Sequence, residues 1–127
     1  MVYRFKKHYT REEARALLPQ VRLWLRRLNE KRALAAKYEE RLRHLLAAGH
    51  DVGGDTVNQW VAAVAAILEV MREFSQREIL VKDPDRGLLD FPSLLGGREV
   101  FLCWEQDEED IEFWHELDGG YAGRERL

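Results

Sequence analysis

The stretch from Val57 to Lys82, VNQWVAAVAAILEVMREFSQREILVK, decides the fold, because its periodicity changes partway along. Val57, Trp60, Val64, Ile67, Met71 and Phe74 recur at alternating steps of three and four, which is the stripe of an α-helix. Within it the run Val61-Ala-Ala-Val-Ala-Ala66 is narrow enough for close helix packing. After about Gln76 the period falls to two, and Ile79-Leu-Val-Lys82 reads as a β-strand. A helical part therefore gives way to a sheet part here.

Upstream, a second helical pattern runs from Gln20 to Ala48 without a breaker. Val21, Trp24, Leu28, Lys31, Ala35, Tyr38, Leu42 and Leu45 form its seam, with Lys31 as the one charged member. Leu25, Leu34 and Leu46 widen it to a globular-type face. Thr10-Arg-Glu-Glu13 fits a capping box, opening a helix at Arg11. Pro19 either kinks that helix near Leu18 or begins a second one. Residues Tyr3 to His8 read as a short extended segment. Gly49 to Gly54 supplies a turn, with Asp55 or Thr56 capping the next helix.

Downstream, Asp83-Pro-Asp-Arg-Gly87 is a turn: proline presets φ and glycine permits positive φ. Leu88 to Phe91 returns as a strand halted by Pro92, and Gly96-Gly97 marks another turn. Arg98–Glu105 and Ile111–Leu117 then form a hairpin across Gln106–Asp110. Pairing Trp104 with Ile111 sets Leu102 against Phe113 and Val100 against His115. Phe101 and Trp114 then make an aromatic pair on the other face, offered as an interaction surface. The expected fold is α+β, mostly α: a long antiparallel helical hairpin over 10–78, an antiparallel sheet over 79–117 and an extended segment over 118–127. Together these make one domain, and because an isolated hairpin leaves an apolar side uncovered, two copies are expected to complete a four-helix bundle.

At 127 residues the chain can bury only a modest core, another reason to expect a homodimer. No apolar run reaches the ~18–20 residues a membrane span needs. The start of the chain lacks the apolar stretch of a secretory signal, and one cysteine builds no internal disulfide, so the expected setting is the cytoplasm. Residues 1–50 balance at +8 and residues 51–127 at −11, giving the net −3. Nucleic-acid binding by Arg22, Arg26, Arg27 and Lys37 is one reading of that split. Mutual neutralisation is the simpler one, since no aromatic stacking platform accompanies the basic residues.

Candidate chemistry centres on His115, at the inner end of an apolar face, with Asp90 as its natural partner: a base, a proton switch or a ligand to metal. An Asp–His pair without a nucleophile is a weak catalytic signal. Cys103, flanked on its expected face by Glu105 and Glu112, reads as a half-buried structural thiol rather than a nucleophile. His8, His44, His50 and His115 are scattered, so no metal or other cofactor is expected, His115 being the residue such a site would use. Arg86, Arg124 and Tyr121 are candidates to bind a carboxylate or phosphate, with pairing of the arginines to nearby acids as the plainer alternative. No nucleophile–base–oxyanion set is present, which favours a non-catalytic interaction protein over a ligand- or metal-dependent enzyme built on His115 and Asp90.

These residues also carry a resemblance. The run Asp83-x-Asp-Arg-Gly-Leu-x-Asp-Phe-Pro92, then Leu102-Cys-Trp104, Phe113-Trp-His115 and Gly120-x-x-Gly-Arg124, resembles DUF2203, a family of small bacterial proteins of unknown function. Tyr9-Thr-Arg-Glu-Glu-Ala-Arg-Ala-Leu-Leu-Pro19 resembles that family's opening, so nearly the whole chain is covered. Gln106-Asp107 departs from it at the hairpin tip, where a more turn-like loop with glycine is expected. The resemblance supports the fold and implies no activity, cofactor or catalytic residue.

Overall fold

The computed structural model describes residues 2–50 and 54–127. It is α+β. Helix α1 spans Arg11–Ala47 and α2 spans Asp55–Ser75; strands β1 (Leu80–Asp83), β2 (Leu88–Leu95), β3 (Arg98–Trp104), β4 (Phe113–Glu116) and β5 (Glu125–Arg126) follow. All neighbouring strands pair antiparallel, in the order β1-β2-β3-β4-β5. Contacts divide the chain into two compact units, one of Met1–Leu25 with Glu73–Leu127 and one of Arg26–Arg72.

The capping box forms as its residues require. Thr10 Oγ1 accepts the Glu13 amide at 3.1 Å and Glu13 Oε1 accepts the Thr10 amide at 3.0 Å. Pro19 does not divide α1; it sits at an exposed position inside one continuous helix, which replaces the short helix expected from Arg11 to Leu18. At the far end the His50 amide bonds the Leu45 carbonyl and the Gly49 amide bonds Leu46, with Gly49 at φ 79°. This is a Schellman cap, and glycine suits its left-handed position. The rest of the expected 49–54 turn, residues 51–53, lies outside the described residues.

In the second unit Leu28, Ala35, Ala63 and Val70 are buried. The stripe expected on α2 is displaced: Val57, Trp60, Val64, Ile67 and Met71 are only half-buried. A helix apolar on nearly all sides does not fix by sequence which line faces inward. Lys31 is likewise half-buried.

The first unit holds the sheet. Gly96 and Gly97, at φ 59° and 80°, make a two-residue turn that sets Leu95 opposite Arg98. Strand β2 runs through Pro92 rather than stopping there. The Tyr9 amide donates to the Pro92 carbonyl at 2.7 Å, so Pro92's backbone faces the edge that β1 leaves open beyond Asp90. Its missing N–H therefore breaks no bond to β3. On one face Phe91 meets the Tyr9 ring edge-on and Trp104 lies under the Arg22 guanidinium. Residues Tyr3 to His8 join no strand; Glu99 holds the Arg4 and Phe5 amides, and Glu78 holds those of Lys6 and Lys7.

The β3–β4 register differs by one residue from expectation. Val100 pairs with Glu116, Phe101 with His115, Leu102 with Trp114 and Cys103 with Phe113. A one-residue slip moves every side chain of β4 to the other face. Phe101 and Trp114 are thus not a cross-strand pair, and Phe101 is buried rather than part of an exposed aromatic surface. The reason lies in the loop, which is longer than the five residues expected. Trp104 Nε1 donates to the Glu108 carbonyl at 2.9 Å, and Arg22 donates to the carbonyls of Gln106 and Glu108. Arg15 grips Asp110 with two bonds, and Ile111 is buried within the loop rather than paired in a strand. Helix α1 therefore sets where β4 begins. The tail is not simply extended either: Tyr121–Gly123 is a 3-10 turn and Glu125–Arg126 pairs with β4.

Candidate functional site

Counting back from the Gly96-Gly97 turn places Asp90 on β2 directly opposite Cys103 on β3. The shifted register then brings His115 of β4 to the same face, beside Phe101 and diagonal to Cys103. Three side chains from three adjacent strands meet there. His115 Nε2 lies 2.9 Å from Asp90 Oδ1, and its Nδ1 lies 2.6 Å from the Glu116 carbonyl oxygen. Asp90 and His115 are 2% exposed and Cys103 is 0% exposed.

A carbonyl oxygen only accepts, so Nδ1 carries a hydrogen. One further proton then serves the contact between Nε2 and Asp90. Burial lifts the Asp90 carboxyl above its usual range, opposed by His115, Lys82 and Cys103. Burial also pushes the Cys103 thiol up to about 11, with the Asp90 charge adding to the rise and Arg124 opposing it. Cys103 is fully buried, not half-buried as expected, and its polar neighbours are Asp90 and Arg124 rather than Glu105 and Glu112. A thiol so held is a poor nucleophile.

The expected ligand-binding residues gather beside this cluster. The guanidinium groups of Arg86 and Arg124 lie 4.4 and 4.6 Å from the Tyr121 ring centre. Each is already engaged. Arg86 donates to Glu105 Oε1 at 2.8 Å, and Arg124 pairs with Glu108 while covering the Phe113 ring at 3.7 Å. Arg124 Nη1 also approaches Cys103 Sγ at 3.7 Å, linking the arginine pair to the buried cluster. Trp114 is half-buried on the opposite face, and Arg98 lies over its ring.

Two members escaped the sequence argument. Cys103 was placed away from His115 by the expected register, and its pairing with Asp90 depends on β2 running on through Pro92 to the Gly96-Gly97 turn. Glu108 resembled a solvated loop acid; only the fold makes it bind Arg124, the Glu105 amide and, through its carbonyl, Trp104. Among the described residues no helix is long and apolar enough to cross a membrane.

The fold and site thus define an α+β protein with, among the described residues, two helices and a five-stranded antiparallel sheet that carries a buried Asp–Cys–His cluster. Residues 7–127 match the family described as an uncharacterized conserved protein, DUF2203, and the chain belongs to that family. No curated protein and no solved structure matches it.

Proposed function

We propose that this protein is a non-catalytic interaction protein that works as a homodimer, with the exposed side of α2 as the face that meets the second copy. One observation carries the reading. From Thr56 to Leu68 the helix has no charged side chain on any side. Yet Val61 and Leu68 are 51% and 61% exposed, and Ala62 and Ala65 between them are also exposed. A helix side meant for water carries charges. Val61, Ala65 and Leu68 stand at steps of four and three, with alanines small enough to let a second helix approach closely. An uncharged stripe meets its own copy about a two-fold axis without like-charge repulsion, which favours a second copy of this chain over a charged partner.

His115 supports the non-catalytic part. Both ring nitrogens are bonded and the ring is buried, so no reacting group is offered to a substrate. Arg22 is committed to two loop carbonyls, which weakens the basic patch needed for nucleic acid. A buried single thiol suits the reducing setting of the cytoplasm, the compartment proposed for it.

Light scattering on the purified chain is expected to give twice the 14.9 kDa chain mass. Val61→Glu with Leu68→Glu is expected to give monomers of unchanged helix content. A wild-type mass equal to one chain would overturn the reading.

A further inference from the structure

We infer that Asp90, Cys103 and His115 form a binding site for a divalent transition-metal ion of zinc type, tying β2, β3 and β4 together. Each residue offers one ligand atom, and the three atoms lie within 4.8 Å of one another. They come from three consecutive strands of one sheet, so the backbone itself holds them in place. Their burial removes competing water.

The orientation of His115 is the second, independent observation. A metal-bound histidine uses one nitrogen as ligand while the other donates its hydrogen to a carbonyl or carboxylate, which fixes the ring. Here Nδ1 donates to the Glu116 carbonyl at 2.6 Å and turns Nε2 toward Asp90. Cys103 bonds the same Asp90 carboxyl, so nitrogen, oxygen and sulfur converge on one point.

The donor set selects the ion. One nitrogen, one sulfur and one oxygen suit zinc or cobalt, whereas magnesium and calcium take oxygen ligands. Bonds of about 2.0–2.3 Å in a tetrahedron separate ligand atoms by roughly 3.3–3.7 Å. The 2.9 Å contact between Nε2 and Oδ1 must open by less than about 1 Å to admit the ion.

Charge also balances. Without metal the cluster holds the Cys103 thiol proton and the proton between Asp90 and His115. A dication replaces these two protons, which leave to solvent, so the net charge of the buried site is unchanged. Arg124, the nearest cation to Sγ, keeps Glu108 as its counter-charge.

The test uses the untagged full chain stripped with a chelator. One equivalent of cobalt(II) should bind and give thiolate-to-metal charge-transfer absorption, a signal that exposed histidines and carboxylates such as His44 and Glu40 do not produce. One equivalent of zinc should raise Tm, while magnesium and calcium should not. Cys103→Ser should abolish the absorption and weaken zinc binding by at least ~100-fold. Wild-type protein that takes up cobalt without that absorption, or that takes up no zinc, overturns the inference even if no variant folds. Equal zinc affinity in Cys103→Ser does the same. The dimer reading is untouched by either result.

Discussion

Asp90 and His115 show how one buried contact constrains a protein. Removing the imidazole leaves a carboxyl that burial already disfavours as an anion, with its main partner gone. Breaking a buried pair from one side typically costs about 3–5 kcal/mol. His115→Ala is therefore expected to lower unfolding free energy by roughly that amount, whereas Asp90→Asn, which keeps a hydrogen-bonding group, should cost less than half as much. Urea unfolding of metal-free protein measures both, and equal losses would contradict the assignment. Asp110 behaves in the opposite sense. Its bonds to Arg15, then to the Ile111 amide, hold its carboxyl below the usual 3.8. A depressed folded value contributes stability above the unfolded pKa and loses it as pH falls through the folded one. Asp110→Asn should thus be less stable than wild type at pH 6, with the gap closing below about pH 4. Unfolding curves across that range check the sign. Gly87 is a different case: it lies at φ 63°, and a Cβ there would sit 2.7 Å from the Gln106 side chain, so the turn needs glycine twice over.

Helix ends show where element-scale structure departs from local preference. Helix α2 closes like α1, with Ile79 bonding the Phe74 carbonyl and Glu78 bonding Ser75, but here the left-handed position at φ 58° belongs to Glu78. A side chain there costs about 1–2 kcal/mol relative to glycine. The carboxylate offsets this by receiving the Lys6 and Lys7 amides at 3.0 and 2.9 Å. Glu78→Gly is accordingly expected to change global stability by less than about 1 kcal/mol, while the Lys6 and Lys7 amides lose hydrogen-exchange protection. Retained protection would show that Glu99, not Glu78, holds the segment. Elements themselves were legible from local pattern: the Thr10–Glu13 box, the Asp83–Gly87 turn and the Gly96-Gly97 hairpin all form where their residues demand. Pro92 was not, because whether proline ends a strand depends on which way its absent N–H would have pointed.

For the whole molecule, the dimer proposed through α2 would make stability depend on concentration by mass action. Tm should rise across a hundredfold increase in chain concentration for wild type and stay flat for Val61→Glu with Leu68→Glu; calorimetry separates the two. The sequence by itself determined that two helices precede an antiparallel sheet and that the chain is a DUF2203 member, since periodicity, caps, turns and motifs are all local or linear. It also placed a turn at Gly96-Gly97, but the Asp90–Cys103 pairing needed β2 to continue through Pro92 to that turn. Tertiary structure alone decided the rest. Arg15 and Arg22 of α1, some ninety residues away, hold the 105–112 loop and thereby choose the register of β4. Because side chains alternate along a strand, that single choice carried His115 from an apolar face to Asp90 and Cys103.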